Sequence, residues 1–187
     1  MKVLLITEIL KPPYDEGIKK TSFNLYKDLK NNYDLKVIAR SSFKAEEILI
    51  VSTNALFFSN KIKKSIQDFK PEVLIYFPFA STTFASYLRL KLLSHYAKEA
   101  KSILISLQPK PLKKWQQQIV KFIRPEVALT PSPQLKTFWD EISVNCKLFP
   151  LITDLNTFKP LEKENNKAAL RKKYNLPADA FIISHMG

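Results

Sequence analysis

The chain has 187 residues, with 30 Lys and Arg against 17 Asp and Glu, a formal net charge of +13 and 45% hydrophobic residues. That composition excludes a disordered polyelectrolyte, and the length suits one substantial core with an appendage rather than two complete domains. Two glycines against 12 prolines exclude a complete glycine-rich phosphate fingerprint; the single Cys146 and the distant His95 and His185 exclude a disulfide framework and a thiolate metal cluster.

In chain order, short Val, Ile and Leu-rich runs alternate with segments of helical period, the pattern of a parallel sheet covered on both faces. Strands are predicted over residues 2–7, 35–39, 47–51, 73–77, 102–107, 127–130 and 147–151, with another opening at 180–184 after a polar gap. The first run, MKVLLITEIL, meets Pro12 and Pro13 and no small-residue cleavage site, so it reads as a buried strand. Residues 17–31 place Ile18, Ser22, Leu25 and Leu29 on one helical face. Residues 82–98 do the same with Phe84, Leu88, Leu92 and Tyr96. A shorter helix over 60–69 is stopped by Pro71, and one over 133–142 follows Ser132 as N-cap. Residues 160–175 turn polar and read as a connector carrying a short helix, after which AFIISHMG looks like the first strand of a unit that the chain does not complete. The expected division is therefore 1–159 and 160–187.

In an open parallel sheet the ligand site lies beyond the carboxyl ends of the strands. After the first strand, a proline-rich loop reaches Gly17 at a helix start, where backbone N–H groups, with Lys19 and Lys20 in the first turn, suit an anion. A glycine that merely eases the turn, with solvated lysines, is the competing reading. After the fourth strand, the aromatic turn containing Phe79 suits one wall of an acceptor pocket, or simply core. After the fifth, Gln108 can donate and accept hydrogen bonds but cannot serve as a general base near neutral pH, so its expected role is positioning. His95 reads as a surface or packed residue, and no Ser-His-Asp or paired-carboxylate arrangement can be argued. No stretch reaches the ~18–20 apolar residues that cross a bilayer, so membrane contact would be peripheral. The segment KPLKKWQQQIVKFIR sets Leu112, Trp115, Ile119, Phe122 and Ile123 on one face, with Lys113, Lys114, Lys121 and Arg124 supplying charge. That pattern suits either an anionic bilayer surface or an ordinary helix packed on the sheet.

Several of these residues resemble, in order, the amino-terminal half of a two-domain GT-B glycosyltransferase of the retaining, family-4-like group. The opening strand, proline loop and Gly17 resemble its paired-glycine start, with Glu16 in place of the first glycine. Pro71-Glu72-Val73-Leu74-Ile75 through Pro78 resembles a further strand and turn of the family, and Leu129-Thr130-Pro131-Ser132 the strand end before the last helix of its amino domain. Pro150, Asp154, Phe158 and Pro160 resemble its interdomain signature, with Leu151 and Ile152 replacing Asn and Gly. Arg171 through Pro177 resembles the helix end that follows, and Ile182 to Gly187 the first strand of the carboxyl domain.

The resemblance implies a Rossmann-like, doubly wound, mainly parallel sheet of about seven strands with helices on both faces, plus the start of a second domain. Gly17, Lys19, Lys20, Phe79, Gln108 and Ser132 are then the expected acceptor- or phosphate-binding residues, toward a glycan or lipid-linked acceptor such as a cell-envelope glycan. The nucleoside-diphosphate sugar donor would be held by a carboxyl domain beyond Gly187, so this chain alone is expected to be inactive, with no cofactor or metal bound. Gln108 stands where the family commonly has a histidine. The setting implied by the sequence is cytoplasmic, with peripheral contact at the inner membrane face through Lys113, Lys114, Trp115 and Lys121. The competing class is a non-catalytic basic module for nucleic acid or anionic membrane. The scattered charge and the lack of a recognition motif argue against nucleic acid.

Overall fold

The computed structural model describes residues 1–52, 59–79, 81–150 and 164–183. It divides into two units, Met1–Ile152 and Thr153–Gly187. The predicted boundary at 159/160 lies outside the described residues, as do Leu151, Ile152, Asp154, Phe158 and Pro160.

In the first unit the described strands are β1 (Lys2–Leu10), β2 (Asp34–Ser42), β3 (Ile48–Ile50), β4 (Val73–Phe77), β5 (Lys101–Ile105), β6 (Val127–Thr130) and β7 (Cys146–Leu148). The helices are α1 (Gly17–Asn32), α2 (Asn60–Phe69), α3 (Phe84–Tyr96), α4 (Lys114–Ile123) and α5 (Pro133–Glu141). One sheet runs β3-β2-β1-β4-β5-β6-β7, parallel throughout. Strand order reverses between β1 and β4: the chain first winds outward to β3, then returns through α2 to β4 and winds the other way. This is the Rossmann-like, doubly wound α/β fold, and such a reversal opens a crevice beyond the carboxyl ends of the strands.

Both faces of the sheet are buried, which is why its strands read as continuous apolar runs. Leu4, Ile6, Leu74 and Tyr76 point to one side, into a core shared with Ile62 and Ile66 of α2, Tyr87, Leu90 and Leu93 of α3, Val120 of α4 and Trp139 of α5. Their neighbours Val3, Leu5, Ile75 and Phe77 point to the other, against Tyr26 and Leu29 of α1. Strand ends differ from expectation by a few residues. β1 and β2 run on to Leu10 and Ser42 because their ladder continues through Ile9↔Ser41 and Leu10↔Ser42. The third helix begins at Phe84, two residues later than expected, because Thr83 serves as its N-cap.

Two helix ends illustrate the local code. α2 closes on Lys70 in the left-handed region, followed by Pro71, which cannot continue a helix. α5 opens as the sequence implies: the Ser132 hydroxyl accepts a 3.2 Å hydrogen bond from the Leu135 N–H, with Pro133 at the first helical position.

In the second unit, α6 (Glu164–Lys173) ends in a Schellman turn. Asn175 takes the left-handed conformation, its N–H donates to the Lys172 carbonyl at 3.2 Å and the Leu176 N–H to the Arg171 carbonyl at 2.8 Å. The Arg171 guanidinium then donates to the carbonyls of Pro177, Ala178 and Ala180. The strand predicted at 180–184 is not formed over residues 180–183; Ser184 lies outside the described residues. A single strand needs a ladder partner, and here Phe181 and Ile183 stand 91% and 86% exposed.

Candidate functional site

The carboxyl ends of β1 to β6 bring most of the sequence-predicted residues to one rim. Gly17 opens α1 after the loop that leaves β1, Phe79 follows β4, Gln108 follows β5 and Ser132 follows β6. The loops after β4 and β5 are fastened together. The Thr82 N–H donates to the Gln108 carbonyl and the Lys110 N–H to the Thr82 carbonyl, both at 2.9 Å. Beneath them the buried Thr82 hydroxyl donates to Ser106 Oγ at 2.6 Å. The Gln108 side chain is exposed above this clasp and Phe79 is half-buried. The Ser132 hydroxyl is already engaged as the cap of α5.

The α1 entrance carries its own counter-charges. Lys19 Nζ lies 3.2 Å from Asp15 Oδ1 and 2.8 Å from Glu16 Oε1. The hydrogen bonds to Glu16 and Asp15 hold the Lys19 pKa above its ordinary value; the bond from Lys19 likewise holds Asp15 below its own. Asp15 and Glu16 stand just before the first turn, engaged by Lys19, so an incoming anion at this helix start would meet their negative charge. Lys20 is half-buried on the same turn, and its N–H donates to the Glu16 carbonyl at 2.9 Å. A Cβ on Gly17 would meet nothing within 4 Å, so neither backbone conformation nor crowding requires glycine here.

At the strand reversal the structure assembles a cluster that sequence reasoning did not single out. Glu8, near the end of β1, accepts from Arg89 Nη1 at 3.1 Å and from the Tyr76 hydroxyl at 3.3 Å, and Arg89 Nη1 donates to Tyr76 Oη at 2.9 Å. The pair is largely sheltered, with Arg89 and Glu8 side chains 15% and 21% exposed. Burial, which outweighs the neighbouring guanidinium, pushes the Tyr76 hydroxyl up to about 12, so it remains a proton donor at neutral pH. Glu8 also lines an open groove of about 510 Å³ with Ile9, Arg40, Ser41, Val51 and Ser52, at the carboxyl ends of β1, β2 and β3. The sequence signal was available. A glutamate within a largely apolar strand lies on the same side as Ile6 and Leu4, two and four residues earlier, and so has to find a partner.

This floor offers a fixed carboxylate acceptor, a guanidinium and two hydroxyls around an apolar strip, which is the functionality that recognises a polyhydroxylated ligand. Among the described residues no three His, Cys, Asp or Glu side chains gather as a metal-ligand group.

Fold and crevice thus define a Rossmann-like α/β domain with an open groove over the carboxyl ends of β1, β2 and β3, beside its topological switch point. No protein-family model matches the sequence, and no curated protein matches it. Among solved structures it is similar to an alpha-glucosyltransferase in complex with UDP and a 13-mer DNA containing a central A:G mismatch, at 14% identity and a TM-score of 0.49. That likeness covers 84% of this chain and 42% of the other, so the chain spans less than half of its length. At this level the comparison carries no conclusion about activity.

Proposed function

We propose that the chain is the acceptor-binding domain of a two-domain, retaining family-4-like glycosyltransferase. Its acceptor is a glycan or lipid-linked saccharide, and a nucleoside-diphosphate sugar held by a partner domain is the donor. The observation that carries this reading is the groove over the ends of β1, β2 and β3, beside the β1/β4 reversal, which Glu8, oriented by Arg89 and Tyr76, lines together with Arg40, Ser41 and Ser52. A carboxylate accepts from two sugar hydroxyls and a guanidinium donates to their oxygens. Because Arg89 already fixes the carboxylate, little side-chain entropy is lost on binding. The sequence resemblance supports the same assignment independently of the groove.

In this mechanism the domain holds the acceptor with one hydroxyl presented to the sugar carbon. Gln108 and the rim loops clasped through Thr82 position the acceptor and exclude water. Stabilisation of the departing diphosphate is left to the donor domain. The chain alone then binds saccharide without turning over nucleotide sugar.

Saturation-transfer NMR of the chain against a panel of oligosaccharides tests the reading. Binding that is lost in Glu8→Gln and retained in Lys61→Gln, on the exposed side of α2, is the expected result. Saccharide binding indifferent to Glu8, or none across the panel, would overturn it.

A further inference from the structure

The sequence set Leu112, Trp115, Ile119, Phe122 and Ile123 on one apolar face, but the structure divides them. Val120 is fully buried, Leu112 is buried and Ile123 half-buried against the core, and these anchor α4 to the sheet. Trp115, Ile119 and Phe122 stand on the outer side, 54%, 38% and 83% exposed. Successive spacings of four and three residues line them up as a ridge along the helix. At its amino end the ridge is braced by an edge-to-face contact between Trp115 and Phe84 of α3, with centroids 5.3 Å apart. Lys113, Lys114 and Lys121 flank it, exposed, and form no ion pair among the described residues.

At the other end of α4, a pocket of about 320 Å³ opens between α3 and α4. Lys91, His95, Lys98 and Arg124 line it, with Glu126 the one acid among its lining residues. Ile123, the chain neighbour of Phe122, belongs to the same lining, so the cationic pocket lies at the carboxyl end of α4, where the apolar ridge ends.

We propose that the α4 ridge and this pocket dock the protein on an anionic lipid bilayer. Trp115, Ile119 and Phe122 would enter the boundary between headgroups and acyl chains, and the pocket would receive a headgroup phosphate. No helix among the described residues is long and apolar enough to cross a membrane, so the helix lies in the interface plane. Charge selects the occupant. Between Glu99 and Glu126 the sequence holds Lys101, Lys110, Lys113, Lys114, Lys121 and Arg124 and no acidic residue. A second copy of the chain would set these like charges against each other, whereas an anionic leaflet attracts them. Nucleic acid would gain from the cations but leave Ile119 and Phe122 without hydrocarbon contact. The proposal stands apart from the sugar-transfer reading, since it uses none of the groove residues.

The test is co-sedimentation of the chain with vesicles of phosphatidylcholine alone and of equal parts phosphatidylcholine and phosphatidylglycerol. Binding to the anionic vesicles only is expected. Trp115→Ser/Phe122→Ser should weaken it at least about tenfold. Lys113→Glu/Lys114→Glu/Lys121→Glu should weaken it about a hundredfold. A control with the same change in net charge, Lys167→Glu/Lys172→Glu/Lys173→Glu on α6, should weaken it by far less. Equal losses in the two triple variants would reduce the effect to general electrostatics and overturn the assignment, as would binding indifferent to Trp115 and Phe122 or no binding at all. Sedimentation equilibrium supplies a further check: a dimer dissolved by Phe122→Ser would make the ridge a contact between copies and overturn the bilayer.

Discussion

Helices α1 and α4 are both amphipathic connectors between parallel strands, yet the structure treats them oppositely. α1 turns its aromatic residues inward. Phe23 stacks on Tyr14 with centroids 4.0 Å apart, and Tyr26 meets Phe43 edge-on at 5.5 Å. Of its four lysines, Lys19 forms ion pairs with Asp15 and Glu16, and Lys30 with Glu47 at 2.6 Å. α4 buries a narrow stripe around Val120, leaves Trp115 and Phe122 outside, and its lysines form no ion pair among the described residues. The difference teaches that an apolar stripe indicates a buried side, but the pairing of the flanking charges tells whether the protein itself supplies the cover.

The largest expected effect exploits that contrast directly. Tyr26→Ala removes a ring that is 5% exposed, together with the hydrogen bond its hydroxyl donates to Glu47, and should cost about 3–5 kcal/mol in chemical denaturation. Phe122→Ala deletes a ring of similar size and should change stability by no more than about 0.5 kcal/mol. A comparable loss at Phe122 would mean that something in the folded protein covers α4 after all.

Next in size is the Glu8 cluster. Arg89→Met takes the guanidinium from a sheltered carboxylate, to which the Tyr76 hydroxyl still donates, and should destabilise by roughly 1–3 kcal/mol. Restoring a donor with Arg89→Lys should recover part of this, without the full reach of the guanidinium to both oxygens. If Arg89→Met is neutral in denaturant, Glu8 is better solvated than its 21% exposure implies.

A further contrast lies in acid. Burial of the Glu47 carboxyl opposes its charge, but the hydrogen bonds donated by Lys30 and Tyr26 prevail and hold its pKa below the ordinary carboxylate value. A depressed folded pKa contributes stability that is complete above the unfolded value and is lost as pH falls through the folded one. The melting temperature should therefore fall on acidification through and below the ordinary carboxylate range, and less steeply in Glu47→Gln. Equal slopes would show that the bonds from Lys30 and Tyr26 to Glu47 do not contribute.

The fold was legible because buried parallel strands write themselves as Val, Ile and Leu runs, and residues 73–77 and 127–130 coincide with β4 and β6. The N-cap at Ser132 was legible for a similarly local reason. The Glu8 cluster was not, because its partners come from β4 and α3, 68 and 81 residues away, and no period in the sequence connects them. The strand expected near residue 180 failed for the converse reason: its apolar residues satisfy a local pattern while the ladder it needs is non-local.

The smallest expected effect concerns the residue on which sequence and structure pull apart. A glycine at a helix start after β1 suggests close approach of a phosphate, yet Gly17 is exposed, has no positive φ and leaves open space around an added Cβ. If the fold alone governs this position, Gly17→Ala should stabilise the protein by about 0.4–1 kcal/mol, through a smaller unfolded-state entropy. Saccharide binding at Glu8 should then be untouched. If a ligand instead approaches the backbone here, the same variant should gain that stability and lose affinity for the ligand, because the methyl would occupy the space the ligand uses. Measuring denaturation and ligand binding on this one variant separates a glycine that merely starts α1 from one reserved for a substrate.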